Sequence, residues 1–196
     1  MALSAEVLQV RADARRLPGE AGVWIFIAAD TFMFALFFSS FIYQRTKSVE
    51  LFNASQQALN PNIGALNTVF LLSGSWFVAV AVGAAKEGLQ KTVVGCLSMA
   101  LGCGVAFAAS KVLEYRDKVV HGITMLTNEF YMYYFVLTGL HFVHLFIGIV
   151  VLAILMRKAK SGVGGKYQYY LQSGASYWHM VDLLWIMLFP LLYLVH

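Results

Sequence analysis

Few side chains in this sequence can do chemistry, and those few recur at helical spacing inside apolar runs. His141 and His144 lie three residues apart in LHFVHLFIG, and His179 and Asp182 lie three apart in YWHMVDLLW. Glu114 and Tyr115 end the segment KVLEY, Tyr134 precedes the histidine pair, and Asp30 stands in WIFIAADTFMF. Residues three or four apart share one face of a helix. At about 100° per residue, Tyr134, His141, His144 and Gly148 fall in an arc of about 80°. Trp178, His179, Asp182 and Trp185 fall in one of about 120°. Asp30 has Phe26, Phe34, Phe37 and Phe41 within about 40° of it, so an acid sits in a phenylalanine stripe.

Three kinds of chemistry suit this inventory. The first is a buried hydrogen-bond network, imidazole N–H to carboxylate and tyrosine O–H to either, with Glu114, Tyr134, His141, His144, His179 and Asp182 as members. The second is a metal site. Di-iron bundles use Glu-x-x-His on facing helices; here the spacings are His-x-x-His and His-x-x-Asp, with Glu114 and Asp30 as further ligands. The third is a haem held between His141 or His144 and His179. Asp30 has three readings of its own: a structural hydrogen bond, a lipid- or proton-linked role, or a ligand to a metal or substrate. Phosphate loops, nucleophile elbows and Cys-x-x-Cys are all missing. So are the broken helix pairs of transporters. Asn67, Ser73 and Asn128 are polar but isolated.

The elements that hold these residues are membrane helices. The chain has 196 residues, 60% hydrophobic and 12% charged, with mean hydropathy +0.69. Soluble domains carry about 25% charged residues. Five apolar runs are long enough for a bilayer core of about 30 Å: Gly22–Tyr43, Gly64–Ala85, Thr92–Leu113, Phe130–Met156 and Ala175–Val195. Such runs must be helical, because lipid offers the backbone no hydrogen bonds. An ionisable side chain within one costs roughly 3 kcal/mol on insertion scales, so each needs a partner. The predicted fold is therefore all-α, a polytopic bundle of five transmembrane helices after a polar tail, residues 1–20.

The tail is no signal peptide, since it carries Arg11, Arg15 and Arg16 and no apolar core. The short hairpin at 86–91 makes the second and third spans antiparallel neighbours. Both are rich in small residues (Gly74, Ser75, Ala79, Ala81, Gly83; Gly95, Ser98, Ala100, Gly102, Gly104), which predicts close packing. Lys111 to Arg116 prolongs the third helix. Cys96 and Cys103, seven apart on one helix, are about 10.5 Å apart along its axis and cannot pair. The net charge of +4 is scattered among loops and excludes a nucleic-acid surface. Nine Lys and Arg fall on the N-terminal side and five (Arg45, Lys47, Lys111, Arg116, Lys118) on the other, which predicts an inside N-terminus and an outside C-terminus.

Taken in order, the segments WIFIAADTFMF, LNTVFLLSGSW, KVLEY, FVLTGLHFVHLFIG and YWHMVDLLWIMLF resemble subunit III of haem–copper oxidases, the cytochrome c oxidase subunit III family. The short form and the opening LPGEAGVWIF look most like the NorE-type protein associated with bacterial nitric oxide reductases. The resemblance implies a non-catalytic subunit of an oxidoreductase. Haem and copper or iron would lie in the partner, catalytic subunit I of a haem–copper oxidase or nitric oxide reductase, and none in this chain. It also implies bound membrane lipid, a place in a bacterial inner membrane, and a role in assembly, stability and proton uptake. Larger members have seven helices in two bundles around a lipid-filled cleft, and this chain matches the last five. Asp30 stands where the family usually has a buried Glu, known for carbodiimide reactivity and nearness to lipid. His179 and Asp182 are then expected to clasp the fifth helix against the third and fourth, through Glu114 and His141 or His144. The rival reading is an independent small redox or transport protein.

Overall fold

A computed structural model of the chain describes residues 20–195, so the expected polar tail lies outside the described residues except for Glu20. The described residues form helices and no strands. They are α1 (Ala21–Lys47), α2 (Val49–Gln57), α3 (Pro61–Lys86), α4 (Gln90–Val120), α5 (Glu129–Ala159) and α6 (Gly165–Phe189), closed by a π-helical turn, Pro190–Leu194. All but α2 are long and apolar enough to cross a membrane, with the turn continuing α6. The protein is thus a multi-pass, all-α membrane protein, as the composition predicts.

Local chemistry sets the helix ends. Asn60 caps α3 by accepting from Asn62 N, and Pro61 occupies the first turn, where a missing N–H costs nothing. Asn128 caps α5 by accepting from Tyr131 N at 2.9 Å. Gly88, at φ +73°, closes α3 and lets Leu89 N reach back to Ala84 O. Pro190 cannot donate to the ladder, so α6 breaks there into the wider turn, with Val195 N bonded to Pro190 O.

Two boundaries differ from the sequence reading. The fifth membrane helix, α6, begins at Gly165, ten residues before the apolar run, with polar first turns that a search for apolar length passes over. The connection after α1 contains α2, whose Phe52 is fully buried edge-on to Phe41 and Phe130. Gln56 of α2 donates to Leu191 O and Leu192 O, carbonyls of the last turn.

Helices α3, α4, α5 and α6 form a four-sided bundle, each touching the next, with α3 against α4 the most extensive pair. Helix α1 lies outside it along α5 and α6, and buries only Asp30, Phe34 and Phe41. The small residues do more than bring α3 and α4 together. Gly74, Gly104 and Gly148 form a niche around Trp178, with built Cβ atoms 3.4, 2.8 and 3.1 Å from its ring. Gly83, Gly95 and Gly102 instead face open space.

Candidate functional site

The polar residues form separate clusters at different points of the bundle. At the end where α4 and α5 meet the π turn, Lys111 Nζ lies 2.9 Å from Glu114 Oε2, and Lys111 is only 1% exposed. Glu114 Oε1 accepts from Tyr134 Oη at 2.7 Å and from Tyr193 Oη at 2.6 Å. Lys111 also donates to both phenol oxygens, at 3.2 and 3.1 Å. The ring of bonds is closed: each phenol gives its proton to the carboxylate and takes one from the ammonium. Trp185 places its ring face 5.4 Å from the ammonium. Such a pair ties α4, α5 and the C-terminal turn into one register. Beside it, a cleft of about 650 Å³ opens between the start of α3 and the end of α4, walled in part by Glu114, Asp117 and Lys118. Lys118 Nζ donates to Ala58 O across its rim at 2.6 Å.

The second cluster joins α1 to α5. His144 Nε2 lies 3.0 Å from Asp30 Oδ1, and His144 Nδ1 lies 2.8 Å from Leu140 O. A carbonyl only accepts, so Nδ1 carries a proton. The contact at Nε2 therefore holds one further proton in either of two forms, imidazolium with carboxylate or imidazole with carboxylic acid. Phe26 and Phe34 flank the imidazole at 6.3 and 5.8 Å, and Tyr177 Oη donates to His144 O. Asp30 Oδ2 has no partner within the described residues. An apolar groove of about 420 Å³, bordered by Val23, Phe26, Ile147 and Tyr177, begins one turn away.

The third joins α6 to α3. His179 Nδ1 lies 3.2 Å from Ser75 Oγ, and the Asp182 carboxyl neighbours the same hydroxyl. Asp182 is buried while the His179 ring is exposed. Trp185 Nε1 donates to Thr68 Oγ1 one turn further on. His141 belongs to no cluster. It is 1% exposed, lies between the rings of Phe107 (5.6 Å) and Trp185 (5.4 Å), and neither ring nitrogen has a hydrogen-bond partner among the described residues. Asn67 is equally buried and equally without a partner.

The single network expected of Glu114, Tyr134, His141, His144, His179 and Asp182 is therefore divided. Glu114 and Tyr134 meet, His144 goes to Asp30, and His179 and Asp182 turn to Ser75. The partner of the clasp lies on the second membrane helix, not on the third and fourth. Three participants escaped the sequence reading: Lys111, Tyr193 and Ser75. The charge count places Lys111 among the outer cations, whereas its i, i+3 spacing to Glu114 is the signal for the pair. No group of three or more His, Cys, Asp or Glu among the described residues could hold a metal ion.

A family model, cytochrome c oxidase subunit III, matches residues 14–196. The chain belongs to that family. Quinol oxidase subunit 3 of Bacillus subtilis is 29% identical over 181 residues, covering 89% of this chain and 85% of that one. Cytochrome bo(3) ubiquinol oxidase subunit 3 of Buchnera aphidicola is 27% identical, covering 88% and 84%. A heme-copper oxidase subunit I+III of Aeropyrum pernix is 26% identical over 89% of this chain but only 22% of its own length. Subunit III membership fits the geometry: polar clusters on five membrane helices, which join one helix to another.

Proposed function

We propose that this chain is a non-catalytic accessory subunit of a haem–copper oxidase complex, bound in the membrane to the catalytic subunit I. The observation that carries this is the family match over nearly the whole chain. The relative named subunit I+III supports the choice of partner, because there the two subunits share one polypeptide. Haem and copper or iron belong to that partner. This chain contributes assembly and stability through a single five-helix domain following a polar tail.

Within it, Lys111, Glu114, Tyr134 and Tyr193 set helix register, as do His179 and Asp182 with Ser75. Asp30 and His144 form the proton-linked site, since their contact holds one transferable proton beside an apolar groove that fits a lipid chain. The membrane is a bacterial inner membrane with the N-terminus inside. The charge balance supports this more strongly once Lys111 is seen to be ion-paired within the bundle, which leaves four outer cations, Arg45, Lys47, Arg116 and Lys118, against nine inner ones.

Purification of the tagged chain from native membranes in mild detergent tests the reading. A partner with a Soret band is expected to co-purify. Recovery of the chain alone, or of stoichiometric haem or metal on it, overturns the proposal in favour of an independent redox protein. The segment LPGEAGVWIF favours a nitric oxide reductase as partner. A recovered complex that consumes oxygen and not nitric oxide overturns that narrower choice.

A further inference from the structure

We infer that the outer face of α3 and α6 around His179 is the surface that receives a transmembrane helix of the catalytic partner, one presenting a hydroxyl or carboxamide to the His179 imidazole. The inference rests on the accessory-subunit reading and names the face that serves it.

Depth comes first. His179 is bonded to Ser75, which lies 11 residues from one end of α3 and 14 from the other. At about 1.5 Å per residue, that is roughly 16 and 21 Å from the helix ends, the middle of a bilayer. Yet the His179 ring is exposed, and its only hydrogen bond among the described residues is Nδ1 to Ser75 Oγ. Nε2 thus faces outward at mid-membrane. Intramembrane ionisable side chains almost always face a bundle interior and find a partner there. Acyl chains cannot hydrogen-bond, and headgroups lie too far away. A protein helix can serve this nitrogen.

The surroundings fit such a helix. Leu72 and Ala79, three before and four after Ser75, are exposed, as are Leu183 and Ile186 on the His179 side of α6. They make an apolar surface with one polar point in it, and polar side chains bond across membrane helices. A hydroxyl or carboxamide can donate or accept, so it satisfies Nε2 in either tautomer. The buried Asp182 carboxyl lies beside the same Ser75 hydroxyl on the inner side of the ring.

The opposite face supplies a control. Val105 of α4 is 56% exposed and adjoins Gly104, which touches the Trp178 ring, so it sits at the same depth as His179. The photo-crosslinker p-benzoylphenylalanine is placed at Leu183 or at Val105 in the full chain, and native membranes are irradiated. The expected result is a cross-link to the haem-bearing subunit from Leu183 and none from Val105. In parallel, His179→Leu should lower haem recovered per tagged chain at least fivefold at unchanged expression, and His179→Asn less than half as much. Cross-linking from Val105 but not Leu183, or lipid adducts alone at Leu183, overturns the surface while co-purification still stands. A Leu183 cross-link to a second copy of this chain overturns the chosen occupant. Failure of the unmodified chain to bring down any haem protein is instead the failure of the accessory-subunit reading.

Discussion

Replacing Lys111 by Met keeps the volume of the side chain and removes its charge. The wild-type ammonium touches Glu114 Oε2 at 2.9 Å and two phenol oxygens, and lies within 5.7 Å of four aromatic ring centres. With it gone, the Glu114 carboxylate remains buried with only the two phenol donors of Tyr134 and Tyr193. Removing one member of a buried pair typically costs about 3–5 kcal/mol, because the other charge is stranded. Two surviving hydrogen bonds to a charged acceptor offset part of this, so the expected loss is about 3 kcal/mol. For a chain of this size, that corresponds to a melting temperature lower by roughly 6–12 °C. Glu114→Gln should cost a similar amount, since it strands the ammonium. The double variant strands neither: the carboxamide oxygen still accepts from both tyrosines. It should lie at least about 2 kcal/mol above the additive expectation. Trp185 stacks against the ammonium and reports the change, so intrinsic-fluorescence melts in one detergent serve all four proteins. Strict additivity, or single variants within about 0.5 kcal/mol of wild type, would refute the closed ring of bonds.

Other variants probe the remaining clusters. His141→Leu should raise stability by about 1–3 kcal/mol, because it removes a buried group without a partner; a lower melting temperature would show that the ring is satisfied. Asp30→Asn should cost less than about 1 kcal/mol, since its amide can donate to the neutral imidazole, whereas Asp30→Leu should cost about 1–3 by leaving His144 Nε2 unpaired. Equal melts for those two would sink the pairing. Gly104→Ala puts a methyl 2.8 Å from the Trp178 ring and 3.2 Å from Ile149, and should cost about 1–3 kcal/mol. Gly95→Ala meets nothing within 4 Å and should be neutral or stabilising by about 0.5–1. Thermal melts of the pair check the niche directly.

Much of the architecture is written plainly in the chain, because a run of twenty apolar residues has one solution in lipid. Five spans, the α3–α4 hairpin and the prolonged α4 follow from length and polarity alone. The short helix α2 does not, since its nine residues are polar enough to read as a loop. Its helicity comes from tertiary contact, through Phe52 in a cage of aromatic rings and Gln56 on the carbonyls near Pro190. The identity of the interior polar residues was legible in the same way, yet their partners were not. A wheel places a residue on one helix but says nothing of how far that helix is rotated against its neighbours.

Trp178 supplies that rotation. Its indole fits a niche between α3, α4 and α5 that exists because Gly74, Gly104 and Gly148 carry no Cβ. Tyr177 and His179 flank it in sequence, about 100° to either side on the helix. Once Trp178 is seated, Tyr177 must turn toward α5, where it bonds His144 O, and His179 toward α3, where it bonds Ser75. The same rotation carries Asp182 in beside Ser75 and leaves the far edge of His179 on the surface. Three glycines scattered over three helices thus decide that Tyr177 meets His144 O and His179 meets Ser75. They also decide that one imidazole, alone among those within the membrane helices, is turned outward to a partner.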